Sequence, residues 1–529
     1  MFDYLIKNGQ LIDGTGSPAR RADVGITDGK IAAIGDLSAA QAGTVIDAAG
    51  KTVTPGFIDI HRHADAALCR PHFGELELKQ GLTTIVNGNC GLSITPCSGP
   101  YRGEIEAYLT PVTGELPADA DCSSMQAYLD AARRQPSPIH TAMLAGSGTI
   151  RACAAGFSAP TLDAAQLRTV QSLIERELAA GALGVSLGLG YAPDCFYSTE
   201  TLIEALRPLQ DSGIPITVHM RQEGSGVVGA LREMIAVARA LRTPVEISHL
   251  KSIGKANWRS CTPEMLRLMA EARQEGVRIA CDVYPYTAGS TQLVHVLPPE
   301  TQQGGMEALT EHLADPAFRE TLKARMLTGS DFENISLLAG FENIVVSSVR
   351  LDRLRQYEGQ SIAQIAEQQG KDPFTCLFDL LQAAHCDVTM IDFIAAEDDI
   401  CDILRDAHSC VISDSTYPTT GMLHPRVYGT YTTLLEHFVR EKQVLSLEAA
   451  VHKVTGRPAA VMGLRTKGVL AQGMDADINI FDPTQIHTRA TYQDPAQFSD
   501  GLDTVFVSGQ PAILHGALTG RKDGTVLTR

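Results

Sequence analysis

The feature that most constrains the fold is an alternation, along the middle of the chain, of short apolar runs with helical patterns. Helical patterns such as 164–180 and 229–241 lie between most of the runs. Near-continuous apolar strands separated by helices are typical of a parallel sheet covered on both faces. Eight such units predict an α/β fold, a (β/α)8 TIM-like barrel. The runs are 53–63, 82–90, 140–147, 181–189, 214–220, 244–250, 277–286 and 409–415.

Both ends of the chain have a different pattern, that of short strands joined by tight turns. Asn8-Gly9 lies between two apolar stretches and Asp28-Gly29 repeats the arrangement, so each predicts a hairpin. The stretch from about Gly468 looks similar. We expect the two ends to form one small β-sandwich; two unrelated edge hairpins are the simpler alternative. The predicted domains are 1–54 and 464–529 for the β-domain and 55–463 for the barrel.

One region interrupts the alternation. Residues 296–387, between the seventh and eighth units, contain further helices and a strand-like run at 343–349, and another such run follows at 388–395. The pattern does not say where either run belongs. An insertion after the seventh strand would lie near the mouth of the barrel, where it would form a lid.

Composition excludes several classes of protein. The 529 residues are 44% hydrophobic and 20% charged, which is ordinary for a globular chain. The net charge of −17 opposes non-specific binding to nucleic acid or to anionic membrane surfaces, since both need a basic face. The sequence has no run of about 18 apolar residues that would span a membrane.

Cysteine usage bears on the cellular compartment. The twelve cysteines include no CxxC pair, and the first residues, MFDYLIKNGQLIDG, lack the pattern of a signal peptide. We therefore expect a cytoplasmic protein with reduced thiols. Cysteines other than Cys90 are expected to be small buried hydrophobes or incidental thiols. The sequence leaves the oligomeric state, including a homo-oligomer, open.

The strongest chemical signal is the segment GFIDIHRH. Residues i and i+2 of a strand point to the same face, so His61 and His63 are predicted to point into the barrel together. They lie at the carboxyl end of the first strand, where active sites of this architecture are found. Two inward imidazoles at that place predict a divalent metal site.

Further metal-type residues recur at the ends of other strands. Cys90 ends the second run, His219 the fifth, His249 the sixth and Asp414 the eighth. One terminal histidine alone is explained by a hydrogen-bonded core histidine. The recurrence of such residues at the same edge of the predicted sheet instead predicts one shared site.

With these residues in place, the chain resembles the amidohydrolase superfamily, and within it the N-acyl-D-amino-acid deacylases, or D-aminoacylases. The resemblance covers nearly the whole chain. Its specific marks are GNCG around Cys90, ISHLK at 247–251, DVYPYTAGST at 282–291 and HPR at 424–426. Several branches of the superfamily carry a carboxylated lysine on the fourth strand. Here GALGVSLGL has no lysine, and the resemblance offers the thiolate of Cys90 instead.

The expected chemistry is zinc-dependent hydrolysis of a linear amide. Cys90, His219 and His249 would hold one zinc ion tightly and leave a fourth position open for water or substrate. His61 and His63 would hold a second, weaker ion, with Cys90 reaching both. The metal would polarise the amide carbonyl and lower the pKa of its water.

Asp414 is the predicted general base and acid. It would accept the proton of the water and pass it to the departing amine, a role that the resemblance also implies. The alternative is a cap on the helix after the eighth strand, because S-D-S-T is good N-cap material. The preference for D-amino acids follows from the resemblance alone.

Substrate recognition is expected to involve two cations. Lys251 and Arg426 would project from loops at the catalytic face, where they would bind a carboxylate. The resemblance implies that they and Tyr284 hold the α-carboxylate and that Tyr191 lines the site. Alternatives remain open: the cations as solvated surface charges, and Tyr191 as a loop-packing aromatic.

Several other residues carry weaker signals. Asp65 is predicted to be an outer-shell or capping residue, and Arg221 is a cation near the site without an assigned role. His295 is either a plain core or loop histidine or part of a side-chain pocket. The G-x-G pattern at 186–190 predicts a tight loop, because proline and cysteine follow it rather than a helix.

Two competing functions stay open at this point. A cyclic-amide hydrolase of hydantoinase or dihydroorotase type would use the same histidines and aspartate, but the missing lysine on the fourth strand counts against it. A non-catalytic scaffold would have lost metal ligands, whereas all six candidate positions are filled. The small-molecule partner expected from the first hypothesis is an N-acyl-amino acid.

Overall fold

The computed structural model describes residues 1–117, 120–418 and 420–529, and the side chain of Cys69, one of the cysteines expected to be incidental, lies outside this description. At its centre, parallel strands alternate with helices. Pairing runs from the first strand to the second and onwards to the eighth. A parallel bridge from Arg62 to Ser415 joins the segments that follow the first and last strands. In the described residues these strands are Phe57–Asp59, Leu82–Asn87, His140–Met143 continued by Ala145–Gly146, Val185–Gly188, Ile216–His219, Val245–Ile247, Ile279–Val283 and Ser409–Val411.

The helices between the strands pack buried side chains against the core. The predicted helices 164–180 and 229–241 are observed as Ala164–Ala179, which begins with a capping box at Asp163, and Val227–Leu241. Outside the insertion, the other α-helices are Glu75–Leu78, Arg102–Thr113, Met125–Arg134, Ser147–Ala155, Thr199–Ala205, Cys261–Gln274, Glu397–Arg405, Arg426–Thr433, Leu447–Val454 and Gly456–Met462, with a π-helix at Leu434–Glu441. Short 3-10 helices span Ala67–Cys69, Asp194–Phe196, Arg207–Leu209, Leu293–Val296, Pro299–Gln302, Phe341–Asn343 and Asp352–Tyr357.

The first apolar run, 53–63, is divided between two sheets. Thr52–Pro55 pairs with strands of the chain ends, whereas Phe57–Asp59 begins the parallel set. Gly56 separates them, and a side chain there would overlap Thr83. The chain therefore changes sheets at a glycine, immediately before the segment that carries His61.

The two ends of the chain form one β-rich unit. Thr52–Pro55 pairs antiparallel with Ile478–Phe481, so the ends are not unrelated edge hairpins. Side chains from both ends, such as Ile6, Val53 and Phe506, share one apolar cluster. Within the described residues a four-stranded sheet holds Phe2–Lys7, Asp23–Thr27, Lys30–Gly35 and Ala42–Asp47, and a seven-stranded sheet holds Gln10–Leu11, Arg20–Arg21, Thr52–Pro55, Ile478–Phe481, Leu502–Val507, Gln510–Leu514 and Ala517–Leu518.

Of the two predicted hairpins, one is confirmed and one is wrong. Asp28-Gly29 joins two antiparallel strands. Asn8-Gly9 does not, because Phe2–Lys7 and Gln10–Leu11 lie in different sheets. The first of these strands already pairs along both edges, with 23–27 and with 42–47, so its successor finds no free edge there. Asn8, with φ of 66°, turns the chain into the other sheet.

The insertion is a unit with its own sheet and core. The two unplaced runs, observed as Ile344–Val349 and Val388–Phe393, pair antiparallel with each other, and Ala288–Gln292 adds a third strand on the other edge. This sheet extends beyond the expected limits 296–387 on both sides. Its apolar cluster includes Val346, Leu377 and Met390. The helices are Gly305–His312, Pro316–Thr328, Ile335–Leu338, Ile362–Gln369 and Pro373–Ala383.

Candidate active site

Three of the predicted site residues lie in left-handed backbone at the carboxyl ends of parallel strands. Cys90, His249 and Asp414 have φ values of 55°, 37° and 51°. Non-glycine residues rarely adopt this region, and such backbone strain, of about 1–3 kcal/mol, tends to persist at functional sites. The strands thus end in turns that bring the three side chains into one place.

The side chains that meet there are metal-type donors. His61, Cys90, His249 and Asp414 each bring one ligand atom to within 4.8 Å of the others. Cys90 Sγ lies 3.2 Å from His61 Nε2 and 3.5 Å from His249 Nε2. Asp414 Oδ1 lies 3.3 Å from His61 Nε2 and 3.2 Å from His63 Nε2. All five side chains are buried or nearly so.

His219 extends this group on the side of His249. Its Nδ1 lies 3.1 Å from His249 Nε2, and its Nε2 has no hydrogen-bond partner among the described residues. The structure therefore brings all six predicted residues together, and we call them the donor cluster: His61, His63, Cys90, His219, His249 and Asp414.

Glu223 belongs to the site and was missed by the sequence analysis. With His219 and His249 it forms a second group whose ligand atoms lie within 4.8 Å of one another. Glu223 Oε1 lies 2.9 Å from His249 Nδ1, so the carboxylate fixes the orientation of that ring. The only signal was its place four residues after His219. Because both residues border a loop, that spacing does not predict where the Glu223 side chain points.

The local charges favour anionic donors. Burial alone raises the pKa of the Cys90 thiol, but His61 and His249 outweigh it and hold the pKa well below its ordinary value. Burial also tends to raise the pKa of Asp414. The positive charges of Arg426 and His61 outweigh this effect and hold the pKa well below its ordinary value. A thiolate and a carboxylate are the forms that bind cations.

Asp282 lies behind two histidines of the donor cluster. The backbone N–H of His249 donates a hydrogen bond to Asp282 Oδ1, and Asp282 Oδ2 lies 3.8 Å from His61 Nδ1. This carboxylate opens the DVYPY segment at the end of the seventh strand. The segment is one of the marks of the resemblance, but no sequence pattern indicates a role for Asp282.

Asp65 holds the loop that carries Cys90. It accepts hydrogen bonds from the N–H groups of Ile94 at 3.2 Å and Gly88 at 3.4 Å, on either side of that cysteine. Burial raises the pKa of Asp65 to about 6. Through these two hydrogen bonds the Asp65 carboxyl group fixes the backbone of the loop that carries Cys90.

A second buried polar cluster lies beside the donors. Arg62, between the two histidines, donates to Tyr417 Oη and Glu77 Oε1 at 3.0 Å each and to Asp59 Oδ2 at 3.2 Å. Tyr417 donates to Glu77 at 2.6 Å, and Ser413 Oγ donates to Asp59 at 2.6 Å. We call these five residues the support cluster. It ties the H-x-H segment to the loop that carries Asp414.

The two predicted cations are buried, so they are not solvated surface charges. Lys251 Nζ donates to Glu223 at 2.7 Å, and Arg426 Nη1 lies 2.9 Å from Asp414 Oδ2. Their charged groups lie 5.7 Å and 4.9 Å from the centre of the Tyr284 ring. Lys251, Arg426 and Tyr284 therefore form one wall next to the donors.

The helix after the eighth strand begins at Arg426, with Pro425 at its N-cap. Asp414 therefore does not cap this helix, and that alternative is wrong. His424 fixes the start of the helix, because its Nδ1 accepts from the Arg426 N–H at 2.9 Å and its Nε2 donates to the carbonyl of Ala288 at 3.0 Å.

Tyr191 and His295 lie against the donor cluster. The Tyr191 ring centre is 4.4 Å from that of His219 and 4.7 Å from that of His295. The Tyr191 hydroxyl lies 2.9 Å from Thr291 Oγ1, and His295 Nε2 lies 3.3 Å from Glu333 Oε1. Tyr191 thus contacts the site itself rather than only packing its loop.

The insertion supplies one side of the cavity in front of the donors. Glu333, Asp392 and Ile394 line it, together with the strand segment 289–291. Asp392 and Ile394 fall in the run 388–395, which the sequence pattern left unplaced, and Glu333 lies in a loop without a pattern.

The remaining sequence candidates have other partners. Arg221 donates to the carbonyls of Cys195 at 2.8 Å and Tyr197 at 2.9 Å, so it holds the loop after the fourth strand. Besides Cys90, no cysteine takes part in the two metal-type groups found in the described residues. No helix in the described part of the chain is both long and apolar enough to cross a membrane.

Comparison with known proteins agrees with this geometry. A model of the amidohydrolase family matches residues 44–513. Two relatives from Alcaligenes xylosoxydans xylosoxydans are each 34% identical: a D-aminoacylase, over 100% of this chain and 98% of its own length, and an N-acyl-D-glutamate deacylase, over 100% and 96%.

Solved structures give the same result. The N-acyl-D-glutamate deacylase from Bordetella bronchiseptica, complexed with zinc and a phosphonate mimic of the tetrahedral intermediate, is 32% identical over 100% of both chains, with a TM-score of 0.84. A D-hydantoinase, 17% identical over 100% of this chain and 99% of its own, has a TM-score of 0.55 and shares the fold alone. The resemblance seen in the sequence is confirmed: this chain belongs to the amidohydrolase family and, within it, to the N-acyl-D-amino-acid deacylases, or D-aminoacylases.

Proposed function

We propose that this protein hydrolyses the amide bond of N-acyl-D-amino acids and releases a carboxylate and the free D-amino acid. The observation that carries the proposal is the convergence of thiolate, imidazole and carboxylate donors at the strand ends, with buried cations beside them. The relatives at 34% identity are named for this activity. The cyclic-amide alternative has less support, because the D-hydantoinase shares the fold alone and the fourth strand, VSLG, offers no lysine.

We propose that the parallel strands close into a (β/α)8 barrel. The continuous series of parallel pairs and the bridge from Arg62 to Ser415 support closure. The proposed domains are the barrel, 55–463, with its insertion at about 296–387, and a β-sandwich from 1–54 and 464–529. The apolar cluster shared by both chain ends supports the β-sandwich.

We propose zinc as the resident metal, held by Cys90, His219 and His249. Ligand distances of roughly 2.0–2.3 Å in a tetrahedron place donor atoms about 3.3–3.6 Å apart. The separation of 3.5 Å between Cys90 Sγ and His249 Nε2 lies within that range, and the 3.1 Å between His219 Nδ1 and His249 Nε2 is slightly shorter. His61 and His63 are proposed for a second, weaker ion, with Cys90 within reach of both. Zinc bound by Cys90, His219 and His249 would polarise the amide carbonyl and lower the pKa of water.

Asp414 is the proposed proton carrier. Its low pKa keeps it ionised near neutral pH, so it is free to accept a proton from the attacking water. The same carboxyl group then gives the proton to the nitrogen of the departing amine. Arg426, 2.9 Å from Oδ2, holds the carboxylate in place for both steps.

The α-carboxylate of the substrate is proposed to bind between Lys251, Arg426 and Tyr284. Both cations are shielded from solvent, which strengthens their attraction for an incoming carboxylate. Tyr191 is proposed to line the acyl or side-chain part of the cavity. Cytoplasmic location and a homo-oligomer stay predictions.

The proposal is tested by amine release from N-acetyl-amino acids, each supplied as separate D and L forms to zinc-loaded protein. We expect turnover of D forms only. Turnover of L forms at equal rates, or none of any member with zinc bound, would contradict it. Hydantoin-like rings in the same assay test the cyclic-amide alternative.

A further inference from the structure

One buried carboxylate in the wall of the active-site cavity lacks a partner. Asp392 lies on the strand Val388–Phe393, opposite Gly289, and lines the cavity in front of the donor cluster. It is 2% exposed, and its Oδ1 has no hydrogen-bond partner among the residues that the structure describes. Burying an unpartnered carboxylate is costly, so this position favours a partner supplied from outside the chain.

Gly289 keeps this carboxylate open to the cavity. A Cβ at Gly289 would lie 2.8 Å from Asp392 Oδ1 and 3.5 Å from Tyr284 Oη. Asp392 therefore lies next to the wall proposed for the α-carboxylate. In an amino acid the side chain and the α-carboxylate are both attached to Cα. A protein group next to the α-carboxylate wall, such as Asp392, therefore faces the side chain of the substrate.

The nearby cations do not neutralise Asp392 by contact. Lys251 donates to Glu223, and Arg426 contacts Asp414 and donates to the Ser290 carbonyl at 3.0 Å. Burial raises the pKa of Asp392 to about 6, against the opposing effects of His295 and Lys251. The carboxylate is thus ionised at about pH 8, and its Oδ1 still lacks a hydrogen-bond donor among the described residues.

A second acid lines the same side of the cavity. Glu333 accepts a hydrogen bond from the Glu223 backbone N–H and faces His295 at 3.3 Å. The His295–Glu333 pair also lines an adjoining cavity of about 220 Å³, which gives room for a longer side chain. Acceptors therefore surround the space next to the α-carboxylate wall.

We propose that Asp392, with Glu333 and His295, binds the amino-acid side chain of the substrate. The protein accordingly prefers N-acyl-D-amino acids whose side chains donate hydrogen bonds, amide or cationic, and rejects acidic ones. This inference rests on the proposed function. Its physical basis is that a donor side chain pairs with the buried carboxylate, whereas an acidic one adds an unpaired like charge.

The test compares two substrates of equal shape, N-acetyl-D-glutamine and N-acetyl-D-glutamate, with N-acetyl-D-leucine as an apolar reference. We expect the zinc-loaded wild type to favour glutamine over glutamate by about a hundred-fold in kcat/KM. In Asp392→Asn this ratio should fall by about tenfold or more, chiefly because glutamate improves, while leucine changes by less than about threefold. Asp392→Ser serves as a second variant if the first does not fold.

The matched control is Asp402→Asn, which removes an exposed carboxylate that pairs with Arg405 on a helix away from the cavity. It should leave all three values unchanged. A wild type that favours glutamate, or a ratio unchanged in Asp392→Asn, would overturn the inference.

An equal fall in kcat/KM for all three substrates in Asp392→Asn would also overturn it, because the residue would then act on the shared α-carboxylate. Failure of the proposed function has a different signature. In that case zinc-loaded wild type turns over none of the three substrates, and the inference falls with it.

Discussion

Two buried polar clusters lie side by side in this protein, and they differ in how far their polar groups are paired by hydrogen bonds within the chain. In the support cluster, Arg62 finds three acceptors, and Glu77 and Asp59 each receive a further hydroxyl. In the donor cluster, a thiolate, ring nitrogens and a carboxylate lie 3.1–3.5 Å from one another, and their ligand atoms belong to two groups that share His249. Removing one partner of a hydrogen-bonded network such as the support cluster leaves a buried charge unpaired, which lowers the stability of the fold. A set of converging lone pairs needs a cation.

The two clusters are neighbours because strand residues alternate in direction. His61 and His63 point to the donor cluster, and Arg62 between them points to the support cluster. Tyr417, three residues beyond Asp414, reaches Arg62 as well. One cluster therefore positions the two segments that supply ligands and the proton carrier to the other.

The largest expected effect falls on the donor cluster. Cys90→Ala removes the thiolate shared by His61 and His249, so we expect loss of tightly bound zinc and a fall in kcat of about a thousand-fold or more. Metal analysis and amine release on one sample measure both. Cys401→Ala, at another buried cysteine, is the control and should keep metal and activity. Full zinc content in Cys90→Ala would show that the donor cluster does not hold the metal through Cys90, which would contradict the difference drawn between the two clusters.

The next effect should appear in stability. Arg62→Met leaves Glu77 and Asp59 buried without their cation, and we expect the free energy of unfolding to fall by about 3–5 kcal/mol. Urea unfolding of metal-free protein measures it. Adding Glu77→Gln should recover part of the loss, because one unpaired charge is removed. An unchanged stability in Arg62→Met would show that the network does not support the fold.

Glu223→Gln tests the boundary of the donor cluster. The carboxylate orients His249 and pairs with Lys251, so its loss should weaken zinc affinity or activity by about 10–100-fold. Competition with a chelator measures the affinity. Glu264→Gln, on the surface of the helix Cys261–Gln274, is the matched control. Equal behaviour of the two variants would place Glu223 outside the site.

The smallest effect is expected at Tyr191. Tyr191→Phe keeps the ring against His219 but removes the hydroxyl that meets Thr291, a hydrogen bond of about 0.5–1.5 kcal/mol. We expect KM to rise by a few-fold and zinc content to stay constant. A loss of zinc would instead make Tyr191 part of the support for His219.

Sequence patterns were sufficient where local periodicity decides the outcome. Parallel strands bring their carboxyl ends to one edge, so His219 and His249 could be expected near each other before any contact was known. The Asn8-Gly9 prediction failed because sheet pairing elsewhere decided the partner of the strand before it.

The missed residues show a different limit. Glu223 lies in a loop whose direction is set by contacts with Lys251, and Asp392 lies on a strand of the insertion whose neighbours are distant in sequence. Neither residue has a periodic pattern that points to the site. The ligands were therefore predictable, and the residues that orient them and shape the cavity were not.

The role of Asp414 as proton carrier is tested most directly by the rate at which Asp414→Asn hydrolyses N-acetyl-D-methionine, compared with wild type, with zinc content measured on the same samples. The account predicts that the variant keeps its fold and its zinc but loses about a thousand-fold in kcat, because the amide cannot accept the proton of the water. A variant that holds zinc and hydrolyses the substrate at the wild-type rate would contradict it.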